Sequence, residues 1–208
     1  MSRRMAAIRV LSLLAAAAAL VACGSVFSSK LPAPSLYLLS AHAGTPGPAI
    51  AADLNIFKPQ VRAGLDTDRI AVLYPDRRLD YYAAARWSAP LDTLIQDLAV
   101  QSFRAQANLR SVSGDASPFS AGYWLEIEVT DFQAEYLPGE ANPTIHVHFS
   151  ALFGKAADRG IIDRFEANAT RRASDNRLTA IVAAYEDAAD AALAEVVADT
   201  AGALSASP

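Results

Sequence analysis

A regular alternation of apolar and polar side chains between Tyr123 and Phe132 is the clearest pattern in the chain. The apolar positions are Leu125, Ile127 and Val129, and the polar positions between them are Glu126, Glu128 and Thr130. Because successive side chains of a strand point to opposite faces, this spacing predicts a β-strand with one face in the core and the other in water.

Other segments predict further strands around this one. Residues 144–153 alternate in the same way after a turn at 136–142, which predicts a second half-buried strand. Shorter apolar runs predict strands at 36–39, 54–58, 69–74, 79–84 and 161–167. The stretch 111–120 is rich in Ser, Gly and Asp and predicts a loop.

Two helices are predicted by apolar residues spaced three and four apart. The first occupies 86–103, with Ser88 as its candidate N-terminal cap. The second is rich in alanine and occupies 178–201, with Gly202 just past its end. Runs of strands around two helices, without regular strand–helix alternation, predict an α+β fold. We expect a mixed, mainly antiparallel sheet with both helices packed on one face.

The first 22 residues differ from the rest of the chain. Arg3, Arg4 and Arg9 precede an apolar run at 10–22, which ends beside the single cysteine, Cys23. Since a membrane-spanning helix needs about 20 apolar residues, this shorter run predicts a cleaved signal peptide. The alternative is a plain secreted protein cut after an Ala-x-Ala-like site, which would leave Cys23 as a free thiol.

Residues 20–23, Leu-Val-Ala-Cys, resemble the lipobox of bacterial lipoproteins. The resemblance implies that signal peptidase II cuts before Cys23, and that this residue carries a diacylglycerol on its thiol and an acyl chain on its amine. Three acyl chains would hold the protein on a bilayer essentially permanently. Gly24 rather than aspartate follows the cysteine, which resembles the sorting pattern of lipoproteins sent to the outer membrane, facing the periplasm.

These predictions divide the chain into three parts. Residues 1–22 are the predicted lipoprotein signal peptide, 23–35 are a lipidated, flexible tether, and 36–208 are a single α+β domain. Fully extended, the dozen tether residues would reach about 40 Å. The folded part could therefore stand away from the membrane that holds it.

Composition and charge narrow the function classes. Removal of 1–22 takes away three arginines and no acid, which moves the formal net charge from −4 to about −7. A chain this acidic is not expected to bind nucleic acid. No cysteine would remain for a disulfide. Apart from the acyl groups on Cys23, we expect no cofactor.

Catalytic motifs are missing from the sequence. It contains no Gly-x-Ser-x-Gly, His-Glu-x-x-His, P-loop or GxGxxG pattern, and we expect no enzymatic activity. The strongest metal-site candidate is the pair His146 and His148. If Glu128 and Glu126 lie opposite these histidines on the paired strand, the cluster could bind zinc. Cross-strand charge pairing on a wet sheet face is the alternative, and the commoner one.

Several short motifs, in order along the chain, resemble those of the ABC-type transport auxiliary lipoproteins. They are Tyr37-Leu38-Leu39, Asp66-Thr67-Asp68-Arg69-Ile70, Leu79-Asp80-Tyr81-Tyr82, Arg86-Trp87-Ser88-Ala89-Pro90-Leu91 and Val129-Thr130-Asp131-Phe132-Gln133-Ala134, followed by the alanine-rich helix. The resemblance implies an accessory, non-ATPase subunit of a system that moves lipids across the cell envelope. The implied partners are a mammalian-cell-entry (MCE) domain substrate-binding protein and its ABC permease and ATPase.

The candidate contacts with such a partner are Tyr81, Tyr82, Arg86 and Trp87. Tryptophan and arginine are enriched in interface hot spots. The two tyrosines point to opposite faces of their strand, so at least one is expected to be partly exposed. The alternative for Trp87 is packing of the helix onto the sheet. For the acidic and basic residues of 66–69 it is a solvated turn.

A second functional hypothesis is that the protein is itself a carrier of hydrophobic cargo at the outer membrane, with acyl chains bound between helix and sheet. A cavity in the core would favour the carrier, and a packed core the accessory subunit. A conduit partner would also admit a homo-oligomer, although no residue in the sequence establishes one.

Overall fold

The structure is a computed structural model that describes residues 33–115 and 120–206. The predicted signal peptide at 1–22 and the lipidation site Cys23 lie outside the described residues, as does most of the predicted tether. No helix among the described residues is both long enough and apolar enough to span a bilayer.

The described residues contain nine strands and two helices. The strands are β1 (Ser35–Tyr37), β2 (Ile50–Ile56), β3 (Gln60–Val61), β4 (Arg69–Leu73), β5 (Leu79–Trp87), β6 (Leu109–Gly114), β7 (Tyr123–Glu135), β8 (Thr144–Lys155) and β9 (Ile161–Arg172). The helices are α1 (Leu91–Gln106) and α2 (Leu178–Ala206).

Strand β7 is the central strand of the sheet and is paired along both of its edges. One of its edges pairs with β8 in an antiparallel ladder from Tyr123↔Lys155 to Glu135↔Thr144. Its other edge pairs in parallel with three strands in succession: β2 near its start, β3 at its middle and β4 at its end. Every branch of the sheet therefore meets at β7.

Further strands extend the sheet on both sides of β7. On one side β8 continues to β9 in a second long antiparallel ladder. On the other side β4 continues to β5 and β1, while β2 continues to β6. The longest ladders are antiparallel and the parallel ones are short, so the predicted mixed, mainly antiparallel sheet is confirmed.

Both helices cover one face of the sheet and fill the core with side chains. Tyr185 of α2 lies at the centre, where its ring centroid is 5.2 Å from those of Trp87 and Phe132. Its hydroxyl donates a 2.7 Å hydrogen bond to the carbonyl of Ala71. Tyr185 is fully buried, and this hydrogen bond satisfies the polar end of an otherwise apolar contact.

A β-bulge in β7 keeps the core face continuous. The register shifts by one residue between Val129 and Asp131. As a result the buried positions change from odd numbers, ending at Val129, to even numbers, beginning at Phe132. Gln133 holds the bulge, because its Oε1 accepts a 2.8 Å hydrogen bond from Phe132 N and its Nε2 donates one of 2.9 Å to Asp131.

Several predicted boundaries were wrong, and the clearest cases involve β5 and the two helices. Strand β5 continues to Trp87, so the helix predicted at 86–103 begins only at Leu91, with Pro90 at its N-cap and no side-chain cap. The predicted cap, Ser88, lies ahead of it. Helix α2 passes through Gly202 because Leu204, 5% exposed, still packs into the core.

The loop predicted at 111–120 was also wrong in part. Residues up to Gly114 belong to β6, which pairs in parallel with β2. In this strand only Val112 is buried, so the segment lacks the alternation that identifies strands in sequence. Its pairing with β2 is a long-range contact, and local composition carries no signal for it.

Gly154 is required by close packing across the sheet. It lies opposite Trp124 in the β7–β8 ladder, and the indole covers it while donating a 3.0 Å hydrogen bond to the carbonyl of Lys155. A Cβ added at Gly154 would overlap both the indole and the carbonyl of Gly160. By contrast, a Cβ at Gly122 would meet no atom within 4 Å.

We therefore predict that Gly154→Ala lowers the free energy of unfolding by about 1–3 kcal/mol through overpacking. The matched variant Gly122→Ala should change it by less than about 0.5 kcal/mol. Urea denaturation followed by circular dichroism measures both. Equal effects of the two substitutions would contradict the packing of Trp124 on Gly154.

Candidate functional site

The turn that leads into β4 is locked to two other elements. The carbonyl of Thr67 accepts a 3.1 Å hydrogen bond from the backbone N–H of Leu91, the first residue of α1. The carbonyl of Asp68 accepts one of 2.7 Å from the N–H of Trp87, the last residue of β5. Leu65, 5% exposed, anchors the turn to the core. These two hydrogen bonds and the buried Leu65 side chain therefore fix the position of the turn.

An ion pair joins this turn to β5. Nη1 of Arg86 is 2.6 and 2.8 Å from the two carboxylate oxygens of Asp68. The hydrogen bond from Arg86 holds the pKa of the Asp68 carboxyl below its ordinary value of 3.8. The side chains are 43% and 36% exposed, so the pair is open to solvent and contributes little to stability.

An aromatic side chain lies beside the ion pair. The Tyr81 hydroxyl donates a 2.9 Å hydrogen bond to the carbonyl of Gly64, and the Arg69 guanidinium lies 3.8 Å from the Tyr81 ring centroid. The ring is thus held at its hydroxyl end and on its face. We name Asp68, Arg69, Tyr81 and Arg86 the docking patch.

The docking patch has the properties of a preorganised interface. Arginine and tyrosine are enriched among residues that dominate binding energy, and side chains fixed before binding lose less entropy on contact. The charges of Asp68 and Arg86 offset each other, which leaves Arg69 as the cationic group over the ring.

Tyr82 lies on the opposite face of β5, as the alternation predicts. Its hydroxyl is 3.5 Å from that of Tyr136, which stacks on Tyr74 with ring centroids 5.9 Å apart. Burial raises the pKa of Tyr82, with a further contribution from its hydrogen bond to Tyr136. Tyr82 is therefore part of a half-buried tyrosine cluster, separate from the docking patch.

Trp87 does not lie at the surface. It is 2% exposed and packs edge-on against Tyr185 and Phe132. Trp87 therefore packs a helix onto the sheet, which was the alternative to a partner contact. The expectation that Trp87 contacts a partner is wrong for this structure, and the residue is not part of the docking patch.

The predicted pairing of histidines with glutamates was wrong in register. His146 lies opposite Gln133 and His148 opposite Asp131. The bulge and the long turn between β7 and β8 move both histidines away from Glu126 and Glu128.

Other acids take the place of those two glutamates. Nε2 of His148 is 2.9 Å from Glu166, and Nε2 of His146 is 3.3 Å from Glu135. Both histidines therefore contact a carboxylate across or beside their strand, but not the two glutamates predicted. Within 33–115 and 120–206 no three histidine, cysteine or acidic side chains are grouped as a metal site.

Two surface cavities have charged side chains in their linings. One of about 770 Å³ lies between α1 and β6, where charged side chains such as Asp53, Asp97 and Arg104 line it. Another of about 300 Å³ lies next to the docking patch, between Arg62, Asp131 and Glu135. Neither resembles the enclosed apolar cavity that an acyl chain needs.

Together these features define an α+β domain that presents a preorganised charged and aromatic patch beside the start of a helix. The family model described as the ABC-type transport auxiliary lipoprotein component matches residues 37–198. The chain belongs to this family, and it is therefore a cell-envelope lipoprotein associated with ABC transport. No curated protein matches the chain significantly.

Solved structures share the fold. Protein XCC0632 from Xanthomonas campestris has a TM-score of 0.72 and 24% identity, over 81% of this chain and 96% of that one. An uncharacterized protein has a TM-score of 0.62 and 15% identity, over 82% and 98%. The hypothetical protein CT253 from Chlamydia trachomatis has a TM-score of 0.52 and 9% identity, over 76% and 100%.

Two residues of the docking patch, Asp68 and Arg69, were missed as functional candidates. The sequence interpretation assigned both to a solvated turn, whereas Asp68 pairs with Arg86 and the Arg69 guanidinium covers the Tyr81 ring. Arg69 and Tyr81 come together because β4 and β5 form a hairpin with an irregular register between Arg69 and Ala71. The hairpin was predictable from sequence, but the irregularity that decides which side chains meet was not.

A pH-dependent stability measurement tests the ion pair. The depressed pKa of Asp68 means that the pair stabilises the fold above the ordinary carboxyl pKa, and that this contribution disappears as the pH falls through the folded-state value. At pH 7 we expect Asp68→Asn to lower the free energy of unfolding by about 0.2–1 kcal/mol.

The control is Asp76→Asn, since Asp76 is 67% exposed and lies 3.7 Å from Arg78. At pH 7 it should have a smaller effect than Asp68→Asn. The difference between wild type and Asp68→Asn should vanish in acid, below the folded-state pKa. A difference that persists there would mean that the substitution acts through backbone structure and not through charge.

Proposed function

We propose that this protein is a membrane-anchored, non-catalytic accessory subunit of an ABC transport system that contains an MCE-domain protein and moves lipids across the cell envelope. The match of residues 37–198 to the transport auxiliary lipoprotein family is the observation that carries this proposal. Its lipid-specific and MCE-specific parts rest on the sequence resemblance.

The proposed location is the outer membrane, with the folded domain facing the periplasm. Acyl groups on Cys23 would supply the membrane attachment, since burial of acyl chains contributes about 0.8 kcal/mol per CH₂ group. Gly24 after the cysteine supports the outer rather than the inner membrane. The tether would let the domain reach a partner in the space between the membranes.

In this proposal the protein contributes binding and no chemistry. ATP hydrolysis belongs to a separate ATPase chain. The docking patch is the proposed contact with the MCE-domain protein or the permease, because Arg69 is exposed, Arg86 and Tyr81 are partly exposed, and hydrogen bonds and ring contact already fix their positions. Loss of such anchors commonly costs 2 kcal/mol or more of binding energy, or roughly thirtyfold in affinity.

The packed core supports the accessory role over the carrier hypothesis. Around Tyr185 the space between α2 and the sheet is occupied by large side chains, among them Trp87 and Phe132. An acyl chain could enter only if these side chains moved apart. The cavities described above lie at the surface and have charged linings.

Affinity purification of the acylated full-length protein from detergent-solubilised envelopes tests the proposal. Mass spectrometry should identify an MCE-domain protein with its permease or ATPase. The double variant Arg69→Ala/Tyr81→Ala should reduce their recovery at least tenfold, as expected for two hot-spot residues. Recovery should be unchanged in Arg164→Ala, a matched loss of one exposed arginine on the distant strand β9.

The extracted lipids provide the opposing outcome. Stoichiometric phospholipid without any transport protein would contradict the accessory role and make this chain the carrier. Equal recovery of partners from wild type and the docking-patch variant would reject the patch as the contact surface, while leaving the accessory role intact.

A further inference from the structure

A short apolar strip crosses the sheet face that points away from the helices. We name Phe57, Trp124 and Ile161 the aromatic band. Phe57 is 41% exposed and Ile161 is 49% exposed, while Trp124 is half-buried. The same face is otherwise polar, with Glu128 and Glu166 further along the strands. Exposed large apolar side chains grouped in this way mark a contact surface.

The band is continuous because of strand register. Trp124 lies opposite Gly154 in the β7–β8 ladder, and Gly154 lies opposite Ile161 in the β8–β9 ladder. Since Gly154 has no side chain, the indole of Trp124 occupies the space beside its backbone, between the positions of Trp124 and Ile161 in the two ladders. On the other side Phe57 stacks on Trp124, with ring centroids 6.1 Å apart and planes inclined by 22°.

One basic residue, Arg159, lies beside the band, where it lines a surface pocket together with Phe57 and Trp124. The two lysines nearby point elsewhere: Lys58 pairs with Asp92 of α1, and Lys155, the partner of Tyr123, leaves its strand on the opposite face. Tryptophan beside lysine or arginine is typical of membrane–water interfaces, where the ring lies at headgroup level and the long side chain reaches into water.

The length of the preceding chain allows the band to reach a bilayer. Ser35 begins β1, and Cys23 lies twelve residues earlier, a distance of up to about 40 Å in extended chain. For comparison, β7 is the longest strand of the sheet, and its 13 residues span about 43 Å at 3.3 Å per residue. The extended tether is therefore about as long as the longest strand of the sheet. A lipid anchor would also keep the bilayer at a high effective concentration, so that even a weak contact is populated.

We propose that the aromatic band docks on the surface of the bilayer that holds the acyl chains of Cys23, with Phe57 and Trp124 at headgroup level. This inference rests on the lipid anchor of the proposed function. In this arrangement the start of β7 lies next to the bilayer, and its other end, where β4 joins it at Ala134 and Glu135, points away from the membrane.

Tryptophan fluorescence can test this contact because the chain has two tryptophans in different surroundings. Trp87 is buried in the core, whereas Trp124 belongs to the band. The acylated full-length protein is reconstituted in phosphatidylcholine vesicles with brominated acyl chains, which quench tryptophan on close approach. We expect loss of the Trp124 emission and retention of the Trp87 emission.

Variants assign the quenching to the band. Phe57→Ser/Ile161→Ser should abolish quenching while the protein still sediments with vesicles, and circular dichroism should match that of wild type. Leu137→Ser is the control, since Leu137 is 39% exposed in the turn at the other end of β7. It should leave quenching unchanged. Acids such as Asp158 and Asp163 lie near the band, so added anionic lipid should not increase quenching.

The outcomes separate this inference from the lipid anchor. Wild-type protein that sediments with vesicles but is not quenched would overturn the inference and leave the anchor intact. Wild-type protein that fails to sediment would overturn the anchor itself, as would a Cys23→Ala variant that stays firmly bound. Quenching that persists in Phe57→Ser/Ile161→Ser would also overturn the inference.

Discussion

The fold depends on the hydrogen bonding of one strand along both of its edges. Strand β7 pairs with β8 on one side and with β2, β3 and β4 in succession on the other, so no other element can be placed without it. Its core face stays continuous only because the bulge before Asp131 shifts the alternation by one residue. Without that shift Asp131 and Gln133 would point into the apolar core, at a cost of several kcal/mol for the unpaired charge. The side chain of Gln133 hydrogen-bonds to the backbone N–H of Phe132 and to the carboxylate of Asp131 at the bulge.

This constraint also separates what the sequence predicts from what it does not. Alternation identified β7 and β8, and helical spacing identified α1 and α2, because each of those patterns reflects burial of one face of a single element. Strand β6 was missed because its pairing with β2 brings together residues about 60 positions apart. The register of β8 was wrong for a related reason: a one-residue bulge and the length of a turn decide it, and neither leaves a periodic signal.

The docking patch, too, was predicted only in part, because strand register decides which of its side chains meet. Tyr81 and Arg86 were identified as candidates from residue type and order, but their partners Arg69 and Asp68 depend on the hairpin register. Trp87 is an example of the opposite outcome, since the same residue types that form interfaces also form cores, and only burial distinguishes them. The aromatic band lies at the start of β7, whereas Asp68 and Arg69 of the docking patch precede the residues of β4 that join its other end.

The central claim is that the docking patch contacts a component of the transport system, and site-specific crosslinking in intact cells tests it most directly. A photoreactive amino acid replaces Arg69 in one variant and Arg164 on β9 in another, and crosslinked proteins are identified by mass spectrometry. The account predicts crosslinks to the MCE-domain protein or the permease from position 69 and none from position 164. Crosslinks to that partner from position 164 alone, or from neither position, would contradict it.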